Sequence, residues 1–276
     1  MRLMEREDFR MKENKMSRRS FLKVGAVASA AGMLAAAPAA ANAAAPNAAK
    51  AAEEENGLLG VFGGKPKYVF LFIGDGMGTA QIQSARFYKG TVENNGAVVE
   101  GELSFTQFPE VGSVTTYDST SFCPDSASTA TSIATGHKTE SNIDHATPAA
   151  FYAHQKTRKN YYAIGKELAT SGFEYFAGGE FQKVNGDGTG PNNHEIAAQN
   201  GYNVVTRQAD AAALKAGAGK TLIIAEALAD GKSMNYAMDA AAGEWQLTDY
   251  VRKGIELLDN KKGFFLMTES GKIDWA

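Results

Sequence analysis

The run "KYVFLFIGDGMG" (Lys67–Gly78) carries two signals at once. Its apolar, aromatic and β-branched first part has the pattern of a buried strand, and the glycines that follow end it in a tight turn. Such a turn can cradle a phosphate with backbone amides, or it can present a side chain from the strand end. The acid inside it separates the two readings. A carboxylate at the centre of an anion cradle repels phosphate unless a cation lies between them, so Asp75 reads as a metal ligand. The plain alternative is Asp75 as a turn or helix-capping residue.

Working outward from that strand, the chain alternates short β-branched or aromatic runs with helical stretches. The strand candidates are "GSVTTY" (112–117), "FEYFAGG" (173–179), "YNVVT" (202–206), "KTLIIAEAL" (220–228) and "GFFLM" (263–267). Helices are expected near 78–90, 126–136, 158–171, 207–215 and 246–260. This order predicts an α/β fold: a three-layer sandwich with a largely parallel central sheet flanked by helices on both faces. Sites in such sheets gather at the carboxyl ends of the strands. The loop "NGDGTGPNN" (Asn185–Asn193) is turn chemistry and lacks the terminal Glu of a calcium loop. A second decoy, "AGAGKT" (Ala216–Thr221), fails as a phosphate loop because the position that needs the first glycine holds Leu214.

"PDSASTATSIATG" (Pro124–Gly136) predicts a slender helix that neighbours can approach closely, stopped by Gly136. Ser126 falls at its N-terminus, where free amides and the helix dipole favour negative charge, a suitable position for an oxygen that must carry a phosphoryl group. The bland reading is a Ser or Asp cap on a packing helix. A serine hydroxyl needs a base or a metal to become a nucleophile. Only His137, His145, His154 and His194 are present, none in a nucleophile-elbow pattern, so metal activation is the better fit.

Composition narrows the partners. Residues 1–43 contain "SRRSFLK", an alanine-rich stretch and a small-x-small ending at Ala43, the pattern of a twin-arginine export signal. The stretch is interrupted by Pro38 and falls short of a membrane span, so no stable membrane anchor is expected. Residues 44–64 read as a flexible mature N-terminus, and residues 65–276 as the folded portion. The first 43 residues hold eight of the 28 Lys and Arg and four of the 31 Asp and Glu, which leaves a net charge of −7 beyond them. Nucleic acid is an unsuitable partner for that surface. Cys123 is the single cysteine, so no intrachain disulfide can form, and it reads as a small buried hydrophobe.

"FIGDGMG", "PDSASTATSIATG", "HATPAAFYAHQKTRK" and "KGFFLMTESGKID" occur in that order, and together they resemble the alkaline phosphatase family. The resemblance implies an exported phosphomonoesterase with two zincs and one magnesium, acting on phosphate monoesters as a homodimer in the periplasm or outside the cell. It implies Ser126 as the nucleophile and Arg158 as the clamp on two phosphate oxygens, with Asp125 helping to hold that arginine. Asp75, Thr147 and Glu269 match ligands of the magnesium region, Asp75 also touching zinc, and Asp274 matches a ligand of the other zinc. Where the enterobacterial type has Asp and Lys beside the magnesium, this chain has His145 and Trp275. His145 therefore joins the candidate ligands and leaves the identity of the third metal open.

Two other readings stand beside this one. A sulfatase or phosphodiesterase of the same superfamily is disfavoured at the nucleophile, since Cys123-Pro124 has no following arginine in C-x-P-x-R spacing. A non-catalytic exported metal- or phosphate-binding relative is the third. The resemblance also implies zinc-ligand histidines after Asp274 that the 276 residues do not contain, so the fold is expected to be incomplete at its C-terminus. The 276-residue chain is accordingly expected to leave p-nitrophenyl phosphate unhydrolysed; robust turnover by the purified chain overturns that expectation.

Overall fold

The computed structural model describes residues 66–119, 121–136, 146–155, 157 and 159–275. The export signal, the segment 44–64, His145 and Arg158 lie outside the described residues.

The Lys67–Gly78 run forms β1 (Tyr68–Gly74), which turns into helix α1 (Thr79–Glu93). After a 3-10 turn (Ser104–Gln107) come α2 (Ser126–Thr135), α3 (Ala146–Ala150), α4 (Tyr161–Thr170) and strand β2 (Tyr175–Gly178). The chain continues through α5 (Asn193–Gln199), β3 (Asn203–Val205), α6 (Gln208–Ala213), β4 (Thr221–Ile224), α7 (Leu247–Leu258) and β5 (Phe264–Ser270). Every described strand pair is parallel. Pairing runs β1 with β5 in one sheet and β2-β4-β3 in the other, as expected of strands linked by helical crossovers.

β4 shows why the layers form. All four of its residues are buried, and alternate side chains feed opposite faces. Leu222 and Ile224 join Leu168 of α4 and Ala197 of α5 on one side. Ile223 and Ala225 join Ala211 of α6 and Tyr250 of α7 on the other. The three-layer arrangement predicted from the alternation is therefore realised around this sheet. Gly254 lets α7 close on β2, for a Cβ there would lie 2.7 Å from the Tyr175 ring. The Tyr175 hydroxyl donates to the Tyr250 carbonyl at 2.6 Å, and burial pushes that phenol well above its ordinary range.

Several expectations are corrected. "GSVTTY" forms no strand: Val114 is 84% exposed, and a β-branched run without a partner edge has no ladder to join. Helix α5 was not expected, although Asn192 and Glu195 form a reciprocal capping box, each side chain accepting the other's backbone N–H at 2.9 and 3.0 Å. Its first residue, Asn193, belongs to the segment read as a loop. Cys123 is exposed rather than buried. It lies in a turn closed by Ser121, whose Oγ accepts from the Cys123 N–H at 3.0 Å and donates to its carbonyl at 3.1 Å. Finally, β1 is not covered on both faces among the described residues: Tyr68, Phe70 and Phe72 stay partly exposed and shield one another, with Phe264, as an aromatic ladder.

Ile223 is 1% exposed at the centre of the second sheet. Ile223→Ala is expected to lower unfolding stability by about 2–5 kcal/mol, measured by chemical denaturation, because the surrounding helices relax only partly into the space.

Candidate functional site

Parallel pairing of β1 with β5 sets Ile73 opposite Glu269 and Gly74 opposite Ser270. The Asp75 N–H donates to the Ser270 carbonyl at 3.3 Å, carrying the ladder one residue past the strand. Asp75 and Glu269 thus leave adjacent strands at the same end. Beyond β5 a 3-10 turn (Gly271–Ile273) delivers Asp274 at its C-cap.

Gly76 explains the glycine pattern of the opening motif. Its φ of 65° lies in the left-handed region, and a Cβ there would sit 2.6 Å from Asp274 Oδ1. Only a residue without a side chain lets the two loops meet. Thr147, on α3, completes the group: its hydroxyl is buried and donates to Glu269 Oε1 at 2.5 Å. Burial raises the Glu269 pKa, the Thr147 hydrogen bond works against that, and the negative charge of Asp75 raises it further.

Four of the expected residues are therefore brought to one place from three separate segments. All are oxygen donors, a set suited to hard cations such as magnesium or manganese, and the crowding of Glu269 and Asp75 is of the kind a cation relieves. Zinc also accepts carboxylate oxygen, and it commonly adds imidazole or thiolate ligands that none of these four supplies. Among the described residues, no three of His, Cys, Asp and Glu are grouped closely enough to hold a metal ion by themselves. The donor types, with the Thr147 hydroxyl beside Glu269, are those a hard divalent cation takes.

Helix α2 follows its prediction closely. The Asp125 carboxylate caps it by accepting from the Ser128 N–H at 2.9 Å, Ser126 is its first residue, and Gly136 ends it in the left-handed conformation. Ala127, Ser128 and Ala130 are buried. The hydroxyls of Thr131, Ser132 and Thr135 fold back onto carbonyls one turn earlier, so the polar side chains leave a smooth surface that α3 packs against. Ser126 is half-buried at the head of this helix, and Thr147 belongs to the neighbouring one. The structure thus places Asp75, Thr147, Glu269 and Asp274 together and Ser126 with Asp125 on an adjoining helix end.

One pair escaped the sequence reading. His194 Nε2 lies 2.9 Å from Glu180 Oε1 just past β2, and both are largely buried. Burial works to raise the Glu180 pKa, but hydrogen bonds from His194 and the Phe181 N–H bring it below the ordinary carboxylate range. No motif flags the pair, since the two residues come together only when α5 forms.

In a parallel α/β scaffold the carboxyl ends of the strands, where Asp75 and Glu269 stand, are where sites gather. The family model described as Alkaline phosphatase matches residues 66–143. Alkaline phosphatase 4 of Bacillus subtilis is 31% identical over 251 residues, covering 75% of this chain and 52% of that protein. Alkaline phosphatase 4 of Drosophila melanogaster is 44% identical over 75 residues, 27% of this chain and 13% of that protein. The solved alkaline phosphatase of the Antarctic bacterium TAB5 superposes with a TM-score of 0.61 at 26% identity, over 76% of this chain and 66% of that one. Over the matched residues both sequence and fold resemble the alkaline phosphatase family. It spans about half the length of the Bacillus relatives it matches.

The Glu269 shift has a testable sign. Its folded pKa is raised above the unfolded value, so in the metal-free protein its contribution to stability is present at low pH and is lost as pH rises through the folded pKa. Glu269→Gln, which keeps the acceptor for Thr147, is expected to stabilise the metal-free protein at neutral pH and to flatten its pH dependence in the mildly acidic range, as read by thermal unfolding with chelator present.

Proposed function

We propose that this chain carries the nucleophile and most of the oxygen ligands of a metal-dependent phosphomonoesterase that works through a phosphoserine on Ser126. The observation that supports this most is the convergence of Asp75, Thr147, Glu269 and Asp274 at the carboxyl ends of β1 and β5. Ser126, at the head of α2, adjoins the helix that carries Thr147.

The reaction divides into two displacements. Ser126 Oγ attacks phosphorus as the ester oxygen leaves and takes up a proton; water then attacks the phosphoserine, restoring Ser126 and releasing inorganic phosphate. Divalent cations held by Asp75, Thr147, Glu269 and Asp274 would supply the positive charge that acidifies a hydroxyl and neutralises the leaving oxygen. The free amides at the start of α2 favour the charge that arrives on Ser126. Arg158 holds two non-bridging oxygens with its planar fork, a task lysine performs poorly, and Asp125 helps to orient it.

The full complement proposed is two zincs and one magnesium, with His145 deciding the third site. A TAB5 alkaline phosphatase variant with a histidine replaced by glutamate has magnesium bound in its M3 site, which supports a histidine as the selector there. The remaining proposals are export through the twin-arginine pathway to the periplasm or beyond, and assembly as a homodimer.

The test uses the protein translated from its whole reading frame. It is expected to hydrolyse p-nitrophenyl phosphate and to yield, on acid quench, a phosphorylated peptide containing Ser126. Ser126→Ala should lower kcat by about three orders of magnitude or more and remove that peptide. Arg158→Lys should raise KM about tenfold while leaving the phosphoserine detectable. A fully active Ser126→Ala protein would refute the reading.

A further inference from the structure

Long connections without helix or strand are uncommon in compact domains and usually have a task. The connection from β4 to α7, residues 225–246, is one of these, and it is built as an arch. At its first foot the Asp230 carboxylate accepts from the Lys232 N–H at 2.9 Å and from the Ser233 N–H and hydroxyl at 2.7 Å each. Lys232 ties that foot to the segment after β2: its carbonyl accepts from the Glu180 N–H at 2.7 Å, and its ammonium donates to the carbonyls of Phe181 and Gln182. At the second foot Glu244 accepts from Asn235 Nδ2 at 2.8 Å and from the Ala241 N–H at 3.1 Å. Gln208 of α6 bonds both the Gly243 carbonyl and the Trp245 N–H, at 2.8 and 2.9 Å.

Between the feet stands Tyr236. Its hydroxyl donates to the Trp275 carbonyl at 3.1 Å, and its ring holds the Lys272 ammonium 4.1 Å from the centroid. Lys272 and Trp275 flank Asp274, and the Trp275 N–H closes the turn on the Lys272 carbonyl at 3.3 Å. Asp274 is thus confined from two sides: by Gly76, which admits its carboxylate against the β1 loop, and by Tyr236, which grips the residues before and after it.

We propose that Tyr236 is the positioning residue of Asp274, and that the 225–246 arch is a strut fixing the Asp274 turn against the β2-β4-β3 sheet. This rests on the reading of Asp274 as a metal ligand. Partners that orient a ligating carboxylate commonly change metal affinity by about 10–100-fold when removed. Asp274 and Trp275 are the exposed end of this turn, and the Tyr236 contacts are the restraint on that end which comes from outside the β1–β5 pair.

The experiment compares the wild-type 276-residue chain with Tyr236→Phe, Tyr236→Ala and, as a control on the same arch, Met238→Ala, whose side chain is 86% exposed. Manganese binding is followed by electron paramagnetic resonance, and amide exchange of residues 271–275 is measured without metal. Tyr236→Ala should weaken manganese binding about 10–100-fold and speed exchange in 271–275 while β4 and α7 stay protected. Tyr236→Phe, which keeps the ring over Lys272, should fall between it and wild type, and Met238→Ala should match wild type. Wild-type manganese affinity in Tyr236→Ala, or unchanged exchange at 271–275, overturns the proposal and leaves the ligand reading intact. A wild-type chain that binds no manganese overturns both.

Discussion

The parallel pairing of β1 with β5 is the constraint on which the site depends. It joins the first described strand to the last described one, and it puts Asp75 beside Glu269 and Gly76 against Asp274. Helices α2 and α3 can bring Ser126 and Thr147 to this place only because the strand ends are already aligned. Tyr68 adds a tie at the other end of β1, its hydroxyl donating to Asp259 Oδ1 at 2.8 Å. A slip of one residue in this register would turn Glu269 to the opposite face and dissolve the group.

The fold was legible where side-chain pattern and backbone need coincide. β1 announces itself because an apolar run ends in glycines, and α2 because small residues sit between an Asp cap and a glycine stop. β4 was over-read in length, since "KTLIIAEAL" continues to look apolar after the ladder ends at Ile224. "GSVTTY" misled because strand propensity describes the fit to a neighbour and no neighbour is present among the described residues. Of the site, Asp75, Thr147, Glu269 and Asp274 were recoverable from motifs. Tyr236 was not: its role exists only in the contact between two turns, and a tyrosine in an irregular stretch has no pattern to give it away.

The electrostatics run against the stability of the metal-free chain. Glu269 is taken out of water beside Asp75, and the Thr147 hydroxyl offsets that in part. Arrangements of this kind persist in proteins when a ligand repays them, and the cost is one form of the stability–activity trade-off. The scaffold absorbs it in the β2-β4-β3 layer, where Ile223 and Thr221 are fully enclosed and, among the described residues, no carboxylate belongs to the buried cluster.

The separation between Tyr68 and Asp259, 191 residues along the chain, also governs the order of assembly. Contacts within β2-β4-β3 and its helices close short loops and can form while synthesis continues, whereas β1 must wait for β5 to emerge. Until then β1 is an unpaired strand edge bearing Tyr68, Phe70 and Phe72, the kind of surface that invites capture by other chains. Among the described elements the site is therefore the last to come into being, and the nascent chain is most in need of shelter at β1.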